Sequence, residues 1–404
     1  MRFAFDNMER DYRPHMAPKT GRRIAIVGGG PAGLSAAYYL TVMGHDVTIF
    51  EARRHLGGML RYGIPSYRLP REHLQAEIDW IVGLGVHVEY ESKVEDISRL
   101  REDFDGTYIA IGAHRDRKLG LEGEDATGVL SAVEMLRCIG DGMAPDFTHE
   151  RVCVVGGGNV AMDVARSAVR CGADKVSIVY RRRVTDMTAQ DEEIEGARAE
   201  GCELLTLNAP LRIVAENGAV TGLAVQPQII GGFRGGRPAP RPADTAERII
   251  PCDRVVVAIG QAIESAPFEA QGIPCDHGRF VANEDGTVDG FEGVFVGGDC
   301  QSGPATVIRA VNAGKVAAAN IDHYLGFEHL IDKHNVDMPP VKFKGKTSCA
   351  RCEMTNREAA DRVGDWGLVE RGLTAQEAHQ EAARCLRCDH FGHGAFRGGR
   401  VMTW

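Results

Sequence analysis

Length, composition and charge already restrict the class of this protein. The chain has 404 residues, of which 44% are hydrophobic and 25% charged, and its formal net charge is −9. This length predicts two domains plus an extension, and the composition is that of a globular protein. The acidic balance argues against nucleic acid as a partner. We find neither a membrane-spanning apolar run nor a signal-peptide pattern, so we expect a cytoplasmic protein that does not act at a membrane.

The first 21 residues have no hydrophobic period and predict an N-terminal arm. After them, an apolar strand leads through a GxGxxG turn (Gly28, Gly30, Gly33) into a helix and a second strand that ends at Glu51. Such glycines permit a tight turn, close approach of a pyrophosphate and close helix packing, and the terminal acid can bind both ribose hydroxyls. This unit therefore predicts dinucleotide binding, with FAD favoured over FMN. The alternative for Glu51 is a buried carboxylate that merely pairs with a neighbouring arginine.

A second dinucleotide unit repeats the first from residue 152 onward. Gly156, Gly158 and Ala161 follow an apolar strand, and the next strand ends just before Arg181. Arg181 therefore takes the place that Glu51 has in the first unit. An arginine there accommodates a 2′-phosphate, so the second unit predicts NAD(P)H binding with NADP slightly favoured over NAD.

Three further stretches complete the globular part. Residues 56–74 and 231–242 are rich in glycine and proline, which predicts a shaped loop and a long exposed loop. A last strand ends at Asp299, and an alanine-rich helix is predicted to open with Pro304 in its first turn. The composition changes near residue 330, which predicts a C-terminal extension.

The cysteines fall into two groups. Seven are scattered, mostly in apolar contexts, whereas Cys349, Cys352, Cys385 and Cys388 form two CxxC pairs separated by a predicted helix from about residue 374 to 384. This spacing predicts one metal site that holds zinc or an iron–sulfur cluster, and independent thiols or a redox pair are the alternative. No CxxC or CxxxxC pair occurs before residue 349, which argues against thioredoxin-reductase-like chemistry.

Five motifs resemble the glutamate synthase small-subunit family of FAD-dependent NAD(P)H oxidoreductases. They are GGML at 57–60, YGIPSYRLP at 62–70, YRRR at 180–183, AIGQ at 258–261 and GGDCQSGPATVIRAV at 297–311. The resemblance implies an α/β fold of two Rossmann-type domains, with the NAD(P) domain inserted into the FAD domain. The predicted bounds are 1–21 for the arm, 22–120 and 253–328 for the FAD domain, 121–252 for the NAD(P) domain and 329–404 for the extension.

The motifs and the resemblance together predict the cofactor-binding residues. For FAD these are Gly28, Gly30, Pro31, Ala32, Gly33, Glu51, Ala52, Gly58, Met59, Leu60, Gly63, Ile64, Gly112, Gly298, Asp299, Pro304, Ala305 and Thr306. For NAD(P) they are Gly156, Gly158, Asn159, Val160, Ala161, Arg181, Arg182 and Gly260. Asp299 is expected on the flavin ribitol, with a helix-capping role as the alternative.

The resemblance implies a subunit that passes electrons between pyridine nucleotide and an iron–sulfur or other redox partner subunit within a larger complex. Hydride transfer to or from flavin N5 needs no acid or base, so no catalytic side chain is predicted. Members of the family usually hold iron–sulfur clusters in an N-terminal domain, yet residues 1–137 contain no cysteine. The stretch EAARCLRCD at 381–389 instead resembles the tails of members that serve as flavin modules. The alternative function is a non-catalytic assembly subunit that retains the nucleotide-binding fold.

Overall fold

A computed structural model describes residues 2–7, 12–330 and 349–384. Its helices are α1 (Arg2–Asn7), α2 (Pro31–Val42), α3 (Met59–Tyr62), α4 (Arg71–Val82), α5 (Ser98–Asp103), α6 (Ala132–Gly140), α7 (Asn159–Arg170), α8 (Asp191–Ala199), α9 (Ala266–Glu269), α10 (Asp299–Ser302), α11 (Val307–Tyr324), α12 (Ala359–Arg362) and α13 (Ala375–Arg384). None of the helices described is long and apolar enough to cross a membrane.

The strands are β1 (Arg23–Val27), β2 (Asp46–Phe50), β3 (His87–Glu89), β4 (Gly106–Ile109), β5 (Arg115–Asp116), β6 (Val129–Ser131), β7 (Arg151–Val155), β8 (Lys175–Tyr180), β9 (Glu203–Thr206), β10 (Asn208–Glu216), β11 (Ala219–Arg234), β12 (Arg237–Pro242), β13 (Arg248–Pro251), β14 (Arg254–Val257), β15 (Gln261–Ala262), β16 (Cys275–Asp276), β17 (Arg279–Phe280), β18 (Thr287–Val288) and β19 (Phe291–Val296).

Two parallel sheets organise the molecule. The first has the order β18-β19-β4-β1-β2-β3, in which only the β18 edge is antiparallel. The second has the order β6-β14-β7-β8-β9 and is parallel throughout. Because β19 completes the first sheet after the whole second sheet, the second Rossmann-type unit is inserted into the first. The predicted fold class is therefore confirmed.

Each sheet is covered by helices that bury an apolar face. In the first unit α2 packs on β1 and directly against α11, where a side chain on Gly314 would lie 2.1 Å from the carbonyl oxygen of Ala32. Ile26, Leu40 and Ile321 are fully buried in this core. In the second unit Val154 and Met162 are fully buried between β7 and α7. Parallel sheets need such cover on their faces, which explains why their strands read as continuous apolar runs.

The stretch 231–242 was predicted wrongly as a long exposed loop. It is the end of β11 and all of β12, which pair antiparallel with Phe233 opposite Pro238. Gly235 and Gly236 form the turn with φ of +58° and +75°, the left-handed values that a two-residue hairpin turn requires. The prolines are tolerated because β12 is the edge strand of the order β10-β11-β12.

Candidate cofactor site between the two dinucleotide units

One cavity of about 410 Å³ lies at the carboxyl ends of the strands of the first sheet. Its walls include residues 27–32 at the end of β1, 50–53 at the end of β2, 92–95 near the end of β3, 110–112 after β4 and Asp299 after β19. Open α/β sheets bind their ligands at this edge, because the strands end there and the following loops diverge. The topology therefore converts separate loops of the sequence into one concave wall.

The glycine turn lets main-chain segments pack closely against one another in this wall. A side chain on Gly28 would come within 2.6 Å of the Ala110 carbonyl oxygen, and one on Gly33 within 2.0 Å of the Gly28 oxygen. At Gly30 the nearest heavy atom would be 3.8 Å away, so its surface opens into the cavity. Helix α2 then begins at Pro31 without a side-chain cap. The uncapped amides beside an open glycine suit a pyrophosphate.

Glu51 is held by the main chain on both carboxylate oxygens. Oε2 accepts from the Gly29 amide at 2.9 Å, and Oε1 accepts from the Arg53 amide at 2.9 Å. The residue is only 7% exposed, yet it lines the cavity. Burial raises the pKa of the carboxyl, and the two amides oppose that rise. The Arg53 side chain lies over the Tyr62 ring, and the Arg54 side chain pairs with Glu91. Within the described part of the chain, main-chain amides rather than an ion pair orient the Glu51 carboxylate.

The predicted shaped loop at residues 56–74 contains a helical turn that the sequence reading missed, α3. Leu60 within this turn and Gly63 and Ile64 directly after it line the cavity. Arg71 donates to the carbonyl oxygens of Leu60 at 3.2 Å and Ile64 at 2.8 Å. Burial and the nearby Arg61 lower the pKa of Arg71 to about 10. Two hydrogen bonds from one guanidinium therefore fix the path of the main chain along this wall.

The last wall contains Asp299, Pro304, Ala305 and Thr306. The alanine-rich helix was predicted to open with Pro304, but it begins at Val307. Thr306 is its cap, with Oγ1 accepting from the Arg309 amide at 3.4 Å. The short helix α10 lies between β19 and this helix, and residues 303–306 between the two helices are not helical. Burial raises the pKa of Asp299, and the Ala305 amide opposes this.

The second unit contributes to the same cavity. Asn159 and Val160, at the start of α7, line it together with Asp163. Gly156 shapes the turn behind them, since a side chain there would lie 2.3 Å from the Ala258 carbonyl oxygen. The predicted residues that do not line the cavity are Gly33, Gly156, Gly158, Ala161, Arg181, Arg182, Gly260 and Gly298. The structure therefore brings Asn159 and Val160 to the predicted FAD residues and leaves the arginines apart from them.

The three arginines after β8 differ in what they bind. Arg182 Nε donates to the Pro238 carbonyl oxygen at 2.8 Å, which ties it to the hairpin. Arg183 pairs with Asp186 at 2.9 Å. Within the described residues Arg181 makes no side-chain hydrogen bond or ion pair, and it is exposed. Its guanidinium is the one in this run that is free to meet a ligand.

The prediction missed several lining residues. They are Val27, Gly29, Phe50, Arg53, Arg68, Ser92, Lys93, Val94, Glu95, Ala110, Ile111, His114, Asp163, Gln261, Glu264, Pro267, Phe268, Val307 and Ala310. His114 is notable because burial lowers its pKa to about 4 and Nδ1 has no hydrogen-bond partner among the described residues. A search of every strand end in the sequence would have found residues 92–95 and 110–114.

Half of the predicted metal site is described. Cys349 is exposed and Cys352 is partly exposed, and neither is in a disulfide. The Cys352 amide donates to Glu381 Oε1 at 2.7 Å, and Gln380 donates to the Ala350 carbonyl oxygen at 3.3 Å. These bonds attach the first CxxC pair to α13, which confirms the predicted helix. Cys385 and Cys388 lie outside the described residues.

The fold has known counterparts. FprA of Mycobacterium tuberculosis, in a structure titled as a complex with NADPH, superposes with a TM-score of 0.65 over 76% of this chain and 85% of that one at 20% identity. At that identity the match shows the fold alone.

Two curated relatives are more similar in sequence. The beta subunit of the NADP(+)-dependent formate dehydrogenase of Moorella thermoacetica is 38% identical over 93% of this chain and 56% of its own length. The glutamate synthase [NADPH] small chain of Escherichia coli is 33% identical over 78% of this chain and 72% of its own length. The chain thus spans little more than half of the first relative, and its resemblance to glutamate synthase small chains is confirmed.

A family model described as pyridine nucleotide-disulphide oxidoreductase matches residues 22–314, which include both parallel sheets and the shared cavity. The chain therefore belongs to the pyridine nucleotide-disulphide oxidoreductase family, among relatives of the glutamate synthase small chain.

Proposed function

We propose that this chain is the FAD-containing, NAD(P)H-oxidising subunit of a larger redox complex. The observation that carries the proposal is the shared cavity, where the carboxyl end of the first sheet meets the start of α7 in the second unit. A flavin and a nicotinamide must touch for hydride transfer, so two dinucleotide units that face one cavity are the arrangement that this chemistry needs.

The residues present fit FAD from one end of the cavity to the other. Gly30 and the uncapped start of α2 suit the pyrophosphate, and Glu51 suits the adenosine ribose. Main-chain groups near Gly63 and Ile64 and the start of α11 would surround the ring system. Bound flavin would supply the hydride acceptor, and the protein orients the reactants and keeps water out. The predicted domain bounds and cofactor residues are part of this proposal.

NADPH is the favoured reductant. Both reported relatives are named for NADP(+) or NADPH. The uncommitted guanidinium of Arg181 follows β8, in the position where a 2′-phosphate is met in this type of unit. Arg182, although also predicted, is bound to the hairpin and serves as a support.

The partners are iron–sulfur and catalytic subunits. The formate dehydrogenase relative is named as a subunit, and the glutamate synthase relative as a chain, of a larger enzyme. We include a metal site at Cys349, Cys352, Cys385 and Cys388, because α13 ends at Arg384, one residue before Cys385, and holds the first pair by hydrogen bonds. Zinc and an iron–sulfur cluster both suit four thiolates. A cytoplasmic location is part of the same proposal.

An anaerobic titration tests the function. The purified chain should show flavin absorption, release FAD rather than FMN on denaturation, and bleach on addition of NADPH or NADH. The alternative, an assembly subunit without turnover, predicts a protein that stays colourless after addition of FAD. A flavoprotein that neither nucleotide reduces would also contradict the proposal.

A further inference from the structure

The described part of the C-terminal extension binds a loop that leaves the flavin-side wall of the cavity. The Val369 amide donates to the Tyr67 carbonyl oxygen at 2.9 Å, and Ser66 Oγ donates to the Trp366 carbonyl oxygen at 3.2 Å. The Tyr67 and Trp366 rings lie 6.2 Å apart. This loop begins directly after Ile64 and Pro65. The extension thus holds the segment that positions part of the proposed flavin site.

The same stretch of the extension binds the second dinucleotide unit. Arg362 Nε donates to Glu200 Oε1 at 2.8 Å, and Arg170 Nε donates to the Asp365 carbonyl oxygen at 2.9 Å. Glu200 also accepts from Arg166 and Arg170, at 2.7 and 2.6 Å. The side chain of Glu200 is fully buried and that of Arg362 is 5% exposed. Buried ion pairs with this many hydrogen bonds fix a geometry, because a misplaced partner leaves a charge unpaired.

The loop and the second unit also bind each other directly. The Arg170 guanidinium lies 4.0 Å from the centre of the Tyr67 ring, and that of Arg166 lies 4.7 Å from it. Arg68 Nη1 donates to both carboxylate oxygens of Asp163, at 2.9 and 2.8 Å. Arg68 Nε also pairs with Glu193 at 2.8 Å. Tyr67 is fully buried, so this contact excludes solvent.

The Arg68–Asp163 pair lies in the wall of the shared cavity. Arg68 follows Ile64 by four residues, and Asp163 follows Asn159 by one helical turn of α7. The pair therefore joins the flavin-side loop to the helix whose start faces the nicotinamide side. Burial raises the pKa of Asp163 to about 7, and Arg68 opposes that rise. Loss of Arg68 would leave the carboxyl buried without its cation.

We propose that Arg68 and Asp163 are positioning residues that set the distance and orientation between the two cofactor sites, and that the extension holds these two residues in place. We call this assembly, residues 66–68 with Asp163 and residues 362–369, the latch. The inference rests on the proposed function and adds a role for the extension. The segment that carries the first CxxC pair also holds the two cofactor sites in the arrangement that hydride transfer needs. A displacement of about 1 Å between reacting groups is enough to slow a reaction on the order of a hundredfold.

Stopped-flow reduction of the FAD-loaded protein by NADPH tests the inner pair. Arg68→Met should lower the limiting rate of flavin reduction about tenfold or more, with FAD content and the Kd for NADPH within about twofold of wild type. Arg68→Lys should recover part of the rate. Asp163→Asn, which keeps the side-chain shape, should repeat the effect if Arg68→Met loses its flavin. The matched control is Arg212→Met, because Arg212 pairs with Glu247 on an exposed face of the same unit.

Trp366→Ala tests the outer part of the latch. It should lower the limiting rate in the same direction, and the double variant with Arg68→Met should fall little further, because both changes release one loop. Glu377→Gln is the control, since the Glu377 carboxylate accepts from the Thr374 amide at the start of α13, and in the described part of the chain no hydrogen bond or ion pair joins it to residues 66–68. Hydrogen exchange should rise at residues 62–69 and 159–170 in Arg68→Met and Trp366→Ala but in neither control.

The outcomes separate the two proposals. If NADPH and NADH both fail to reduce the wild-type flavin, the proposed function is wrong. Hydrogen exchange alone then tests whether the latch holds the loop to the second unit. If the wild type is reduced and Arg68→Met and Asp163→Asn match its limiting rate, the positioning role is wrong. Unchanged rate and unchanged exchange in Trp366→Ala would overturn the role of the extension.

Discussion

His45 Nε2 lies 2.9 Å from Oδ1 of Asp322, 277 residues further along the chain, and both residues are buried. Thr20 Oγ1 holds the other imidazole nitrogen at 2.8 Å, and His329 donates its amide to Asp322 at 2.8 Å. The His329 ring also contacts Asp322, at 2.7 Å. This network joins the end of α2 to the end of α11, and the His45–Asp322 hydrogen bond at its centre is buried. We expect it to stabilise the first unit measurably.

His45→Gln should therefore lower the free energy of unfolding by about 1–3 kcal/mol at pH 8. Burial lowers the pKa of His45 below its ordinary 6.5, with Asp322 opposing. An unfolded chain then binds the proton more readily, so the wild type loses stability as pH falls below about 6.5. The deficit of the variant should shrink between pH 8 and pH 5.5, as measured by urea unfolding. His87→Gln, which changes an exposed histidine, is the control. An equal deficit at both pH values would contradict the linkage.

Glu51→Ala should weaken FAD binding about tenfold or more. The carboxylate lines the cavity in a fixed orientation, and its loss would remove the acceptor for the ribose hydroxyls. The measurement is the FAD-to-protein ratio after purification, followed by the Kd for added FAD. Glu89→Ala, on the neighbouring strand β3, is the control. Full occupancy with an unchanged Kd in Glu51→Ala would contradict the assignment.

Arg181→Ala should reduce kcat/KM for NADPH about tenfold while the value for NADH changes little, because a charged hydrogen bond to the 2′-phosphate is lost. Arg183→Ala is the matched control, since that neighbouring guanidinium already pairs with Asp186. Steady-state rates with both nucleotides give the ratio. If Arg181→Ala leaves the ratio unchanged, this arginine does not select the cofactor.

Cys385→Ser should lose bound metal together with partner binding, because three thiolates hold zinc or an iron–sulfur cluster less well than four. Metal analysis and visible absorption of the intact chain identify the metal. Cys138→Ser, in a cysteine that is part of no CxxC pair, is the control. Unchanged metal content and an unchanged complex in Cys385→Ser would refute the metal site while leaving the flavin proposal intact.

The fold class could be predicted from the sequence because the elements that indicate it lie next to one another in the chain. The strand before Gly28, the helix after it and the strand before Glu51 are contiguous, and the second unit repeats them. The hairpin at residues 231–242 was missed because its high glycine and proline content favours a loop. The Gly235–Gly236 pair between two strands is a usable signal for a hairpin turn.

The buried ion pairs that attach residues 362–369 of the latch to the second unit could not be predicted, for a different reason. Arg166, Glu200 and Arg362 are charged residues, and charged residues in a sequence favour an exposed face. Their burial depends on partners that are 34 and 162 residues away. No periodicity reports such pairing, so only the folded chain reveals it.

The insertion of one unit into the other also sets an order of assembly during synthesis. Strand β4 needs β19 as its neighbour, and every strand of the second sheet is translated between them. The second sheet is contiguous in the chain and can close while the first still lacks an edge. Residues 362–369 of the latch are synthesised after both sheets. We therefore expect the nascent first unit to stay open at its cavity until the second has folded, which leaves an interval for FAD to enter before the extension closes over the loop.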